Sequence, residues 1–184
     1  MELRWLPNAI CIARMLLVAP IVAALLAGRY EIALLLILVA GASDGLDGFL
    51  AKTFDWQTEL GGLLDPAADK LLLVSVFLTL TYVGLVPLPL TVIVVLRDVV
   101  IVLGAAAYQF WVAPVHGEPT LISKLNTACQ LAFVFLTVAQ AAFTLALGSL
   151  LTGLGATVIF TSISSGLAYV VLWSKRAWRD THPA

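Results

Sequence analysis

The sequence predicts an all-α integral membrane protein with six transmembrane helices, on three observations. Of its 184 residues, 61% are hydrophobic and 11% charged, against about 25% charged in an ordinary soluble domain. Too few polar side chains remain to wrap a soluble globule, so lipid is the solvent for most of the surface. The apolar residues fall into six stretches of about 20, the length that crosses a bilayer as a helix. The lysines and arginines gather on alternate connections, as the positive-inside rule describes. A net charge of −1 and the lack of a basic tract argue against a nucleic-acid partner.

The first span covers about 9–27. No small-residue cleavage site with a polar mature domain follows it, so it reads as a retained span and not a signal peptide. Gly28, Arg29 and Tyr30 end it. The second span covers about 32–50 and the third about 60–83, joined by the short polar stretch 53–59. Residues 84–89 hold two prolines and form a turn. The fourth span, about 90–112, ends at the loop 114–119. The fifth covers about 122–145 and the sixth about 150–173. All 184 residues are expected to form one membrane domain.

Arg4 precedes the first span, and Lys175, Arg176 and Arg179 follow the sixth. Lys52 lies between spans two and three, and Lys124 follows the loop after span four. The opposite connections hold only Arg29. Both termini and the connection between spans two and three are therefore expected in the cytoplasm. Trp5, Trp111, Trp173 and Trp178 fall near span ends, as interfacial anchors do. Cys11 and Cys129 both lie in apolar stretches and read as small buried hydrophobes, neither disulfide partners nor metal ligands.

Five of the eleven acidic residues fall inside the spans: Asp44, Asp47, Asp65, Asp69 and Asp98. An ionisable group in a membrane helix costs about 2.5–3.5 kcal/mol on the insertion scale, which makes each a functional-site hypothesis. Asp44 and Asp47 are three apart, and Asp65 and Asp69 four apart, so on helices each pair shares a face. The short connection makes their helices antiparallel neighbours whose carboxylate pairs face each other. Four hard oxygen donors with no histidine or thiolate nearby suit Mg²⁺ or Mn²⁺ and not zinc. Gly41, Gly45, Gly48, Gly61 and Gly62 accompany the acids. Singly, each is equally well explained by small-residue helix packing; as a group beside four aspartates, they let a nucleotide approach the backbone.

These residues form Asp44-x2-Asp47-Gly48-x2-Ala51-Lys52-x8-Gly61-x3-Asp65-x3-Asp69. The pattern resembles the D-x2-DG-x2-AR-x8-G-x3-D-x3-D motif of the CDP-alcohol phosphotransferases, with seven of eight fixed positions in agreement. The departure is Lys52, which keeps a cation where the family has arginine but loses the bidentate fork. The resemblance implies six helices around a cytoplasm-facing polar cavity that holds two divalent cations, in a chain that works as a homodimer. It implies Asp44, Asp47 and Asp65 as metal ligands, and Asp69 as a ligand and the catalytic general base. Gly48, Ala51, Lys52 and Gly61 would line the site for CDP. The reaction implied is attack of an acceptor hydroxyl on the lipid-side phosphorus of CDP-diacylglycerol, with CMP as leaving group.

Outside the motif, the chain is most similar to the CMP-forming cardiolipin synthases of bacterial and mitochondrial inner membranes. The similarity rests on Leu6-Pro7-Asn8 with Arg14, on 80–91, on Arg97-Asp98-Val99, and on 119–127 with Gln130. Asn126 is the most telling position, because the sister phosphatidylglycerophosphate synthases usually carry a lysine there. Phosphatidylglycerol is thus the expected acceptor and glycerol 3-phosphate the rival; a non-enzymatic membrane protein with a decayed site is a third reading, opposed by the four intact aspartates. Arg97 and Asp98 either satisfy each other within the bundle or leave Arg97 to hold an acceptor phosphate. Lys124 either joins the acceptor site or snorkels to the interface. Lys70 reads as charge balance, and His116 and His182 as solvated.

Overall fold

The computed structural model describes residues 6–53, 59–111 and 121–181, with side chains described over 9–43, 68–106 and 121–175. Six helices follow in order: α1 (Leu6–Leu26), α2 (Tyr30–Thr53), α3 (Glu59–Tyr82), α4 (Leu88–Trp111), α5 (Leu121–Phe143) and α6 (Gly148–Thr181). Among the described residues, four of them (α1, α4, α5 and α6) contain stretches long and apolar enough to cross a membrane, and α2 offers a shorter apolar run, Tyr30–Ser43. Helices are what such a sequence must form in lipid, where every backbone polar group needs a partner within its own segment. The same solvent tolerates Pro20 inside α1.

The helix ends have local causes. Gly28 and Gly84 adopt φ of 68° and 78°, a region in which a side chain is strained. Each closes a Schellman cap: Arg29 N donates to Ala24 O at 2.9 Å after α1, and Leu85 N to Leu80 O at 2.9 Å after α3. The end of α5 has no glycine; Thr144 takes φ of 50° there, and the Gln140 side chain accepts from Leu147 N at 3.1 Å.

Two helices outrun the apolar stretches that announce them. α2 continues through Lys52 to Thr53, so Lys52 is helical and not in a connecting loop. α6 continues to Thr181, eight residues past the expected end at 173. Apolarity ends at the membrane edge, but Ala, Lys and Arg are good helix formers and nothing in either stretch breaks the hydrogen-bond ladder.

The chain divides into two compact units. One comprises 1–86 and 134–147, the other 87–133 and 148–184, so α5 contributes to both. In the first, α1 packs on both α2 and α3. Cys11, Arg14, Val18, Ile21 and Leu25 form the buried stripe of α1, spaced by three or four, while Ile12, Leu16 and Leu26 point outward. In the second, α4 packs on α6. Gly155 lets Leu90 and Phe133 close in, within 3.2 and 3.3 Å of where a Cβ would stand, and Gly104 does the same for the Trp173 ring at 3.4 Å. The second unit's interior is unusually polar: Arg97, Asp98, Asn126, Gln130, Thr161, Ser162 and Ser165 are all buried. Trp5, His116 and His182 lie outside the described residues, as do the side chains of Trp111 and Trp178.

Candidate active site

The motif occupies two helices of the first unit. α2 is unbroken from Tyr30 to Thr53, which puts Asp44 and Asp47 one turn apart near its C-terminal end. α3 begins at Glu59, which puts Gly61, Asp65 and Asp69 at successive turns along one stripe. The side chains of Asp44, Asp47, Gly48, Ala51, Lys52, Gly61 and Asp65 lie outside the described residues. Asp69 is described. Its Oδ1 accepts from Arg14 Nη1 at 2.6 Å. Arg14 is 1% exposed, whereas the Asp69 side chain is 44% exposed. The guanidinium is thus locked inside the α1–α3 contact, and the carboxylate it holds opens outward.

Sequence reasoning named Arg14 only as part of a family similarity and gave it no role. The insertion penalty that flags acids inside spans applies equally to a buried arginine, and counting cations in spans as well as anions identifies it. The charge on the aspartate cluster is therefore offset in part by the protein itself. Arg14→Lys should keep an ion pair but lose the planar geometry that orients the carboxylate, whereas Arg14→Met removes the cation. We expect Arg14→Met to lose most activity and Arg14→Lys to retain a measurable fraction. Equal activity in the two variants would show that the pair does not position Asp69.

The donor set fits hard divalent cations. Four carboxylates stand on two helices, each pair on one helical face, and that of Asp69, the one whose side chain is described, is 44% exposed.

In the second unit, Arg97 of α4 is held from three sides. Its Nη1 meets Asp98 Oδ1 at 2.6 Å, and its Nη2 donates to Ser123 Oγ of α5 at 2.5 Å and to Ser165 Oγ of α6 at 2.8 Å. Both charged side chains are nearly sealed, at 4% and 6% exposure. The mutual pairing of Arg97 and Asp98 is therefore real. The Arg97 Nε–H meets no acceptor. Arg97 also borders an apolar groove of about 260 Å³ whose walls include Leu96 and Val100 of α4 and Ile163 and Leu167 of α6. The α5 contact to Arg97 is made by Ser123, and Lys124, next in the chain, is exposed. Lys70 is half-buried beside Asp69.

Asn126 of α5 is completely buried, and its Oδ1 accepts from Thr161 Oγ1 at 2.8 Å and Ser162 Oγ at 2.9 Å. The serines and threonines of this cluster carried no signal in the sequence, because hydroxyls in membrane helices commonly satisfy themselves on their own backbone, as Thr161 also does on Thr157 O at 2.8 Å.

Comparison with known proteins identifies relatives of the chain. The chain is 33% identical over 181 residues to a human protein, and 31% identical over 180 residues to a rat protein, both named cardiolipin synthase (CMP-forming). A rice chloroplast CDP-diacylglycerol–glycerol-3-phosphate 3-phosphatidyltransferase is 32% identical over 183 residues. Each alignment takes in 89% of this chain, but this chain spans only 60% of the human and rat proteins and 55% of the rice one. The family profile described as CDP-alcohol phosphatidyltransferase matches residues 4–172, from before α1 into α6 and across both aspartate-bearing helices. On that match the chain belongs to the CDP-alcohol phosphatidyltransferase family.

Proposed function

We propose that this protein transfers a phosphatidyl group from CDP-diacylglycerol to phosphatidylglycerol, giving cardiolipin and CMP. Asp44, Asp47, Asp65 and Asp69 would hold two divalent cations, Mg²⁺ or Mn²⁺. Bound there, such ions neutralise the diphosphate and stabilise the charge on the departing nucleotide. Gly48, Ala51 and Gly61 would let the CDP moiety approach the helices, with Lys52 as a point charge on its phosphates. Asp69, oriented by Arg14, accepts the proton of the acceptor hydroxyl. The hydroxyl oxygen then bonds to the lipid-side phosphorus, the bond from that phosphorus to the bridging oxygen breaks, and CMP leaves with the electron pair. Arg97 and Lys124 are assigned to the acceptor's phosphate. The distribution of lysine and arginine favours a cavity that opens to the cytoplasm, and the family resemblance favours a homodimer in a bacterial or mitochondrial inner membrane.

The observation that supports a lipid acceptor is the neutrality of the second unit's interior among the described residues. Phosphatidylglycerol presents a monoanionic diester and enters from the bilayer. Glycerol 3-phosphate arrives from water as a near-dianion, and a site for it should collect several cations. Here Arg97 is already shared with Asp98, and Asn126, closed in by Thr161 and Ser162, occupies the position where a second lysine would make the difference. The test is purified protein with CDP-diacylglycerol and each acceptor in turn, the lipid product identified by mass spectrometry. Cardiolipin is expected. Phosphatidylglycerophosphate without cardiolipin would overturn the acceptor while leaving the family intact.

A further inference from the structure

We infer that Gln130, together with the amide of Asn126 one turn before it, recognises the non-reacting hydroxyl of the acceptor's glycerol headgroup. The inference rests on the glycerol-bearing acceptor proposed above. Gln130 is 0% exposed, and neither its Nε2 nor its Oε1 has a hydrogen-bond partner. The Asn126 Nδ2 is likewise buried without one. Spaced by four on α5, the two amides share a helix face. That face continues from Ser123, which holds Arg97. A buried primary amide with both ends unmet costs about 1–3 kcal/mol for each lost group, so native proteins rarely keep one without a ligand or ordered water to satisfy it.

The chemistry of the unmet groups selects the ligand. Asn126 meets the Thr161 and Ser162 hydroxyls with one end of its amide only. Whichever way that amide is turned, its other end stays unmatched. Gln130 presents a donor and an acceptor together. A phosphate oxygen only accepts and leaves the Gln130 carbonyl unmet, whereas an alcohol donates and accepts at once and can meet both. The ligand class is therefore a neutral hydroxyl. In a glycerol headgroup, the hydroxyl that does not attack lies beside the one that does, so holding it orients the nucleophile. Arg97, reached through Ser123, would take the neighbouring phosphate. In the proposed topology α5 enters from the cytoplasmic face, and both amides lie within its first three turns.

The test compares phosphatidylglycerol with phosphatidyl-1,3-propanediol, which keeps the primary hydroxyl and lacks the secondary one. Wild-type protein should prefer phosphatidylglycerol by roughly 10–100-fold in kcat/KM, the value of one buried hydrogen-bonding group. Gln130→Leu should flatten that preference to within about threefold, raise the KM for phosphatidylglycerol, leave the KM for CDP-diacylglycerol unchanged and not lower Tm, because an unmet amide is replaced by hydrocarbon. Should leucine fold poorly, Gln130→Met keeps the unbranched length and serves the same comparison. A wild type indifferent to the missing hydroxyl, or a variant that keeps the full preference, would overturn the inference and assign the amides to ordered water or packing. If the wild type makes only phosphatidylglycerophosphate, the cardiolipin reading fails. Glycerol 3-phosphate against 3-hydroxypropyl phosphate then puts Gln130 to the same test.

Discussion

Replacing any one of Asp44, Asp47, Asp65 or Asp69 with asparagine should all but abolish phosphatidyl transfer. For Asp69→Asn the loss should be roughly 10²–10⁴-fold, the contribution of a positioned base, with loss of a ligand added to it. For the other three it should exceed the roughly 10–100-fold that changes in a metal's outer shell cost, because an amide supplies neither the charge nor the affinity of a carboxylate. Excess chelator should silence the wild type, and Mg²⁺ or Mn²⁺ should restore it; full activity in chelator would rule out the mechanism. Thermal stability separates the four variants. Without metal, asparagine relieves like-charge repulsion at 44, 47 and 65, so those three should hold or raise Tm. Asp69→Asn removes the carboxylate that meets the Arg14 guanidinium, which is 1% exposed, so it should lower Tm relative to the other three. A uniform fall in all four would mean that the acids are structural.

Arg97→Ala should be the most destabilising single change in the second unit. It takes from Asp98, buried at 6% exposure, the guanidinium that meets its Oδ1. Breaking a buried ion pair from one side costs about 3–5 kcal/mol, whereas removing both partners together is often neutral or stabilising. It also strips Ser123 and Ser165 of their shared donor. The double replacement Arg97→Leu with Asp98→Leu should therefore recover most of the lost stability. If Arg97 also holds the acceptor's phosphate, the recovered protein should still need far more phosphatidylglycerol while its KM for CDP-diacylglycerol stays near wild type. Recovery of both stability and acceptor use would confine Arg97 to an architectural role. The assay reads both KM values and Tm on the same three proteins.

The aspartate motif, six helices, their turns and the family could all be read from the sequence, and for one reason. Lipid makes charge expensive and sets a minimum span length, so four acids spaced by turns and six apolar runs stand out against a uniform background. The glycine caps at Gly28 and Gly84 are legible for a different reason: an L side chain resists the backbone they adopt. Which side of each helix faces inward could not be read. In water an inward face is apolar and an outward face polar; here Leu16 and Leu78 face out and Ile21 and Leu80 face in, and nothing in their chemistry distinguishes them. Only the packing of α1 on α3 brings Arg14 to Asp69, 55 positions later. Likewise only the packing of α4, α5 and α6 joins Arg97 to Ser123 and Ser165, and Asn126 to Thr161 and Ser162. Serine and threonine cost little in a membrane helix because their own backbone can satisfy them, so their recruitment into a buried network leaves no mark on the sequence. The sequence thus singled out the acids on which the proposed chemistry rests, because lipid penalises each charge it holds; the tertiary structure decided which side chains meet Asp69 and Arg97, because those contacts join residues far apart in the chain.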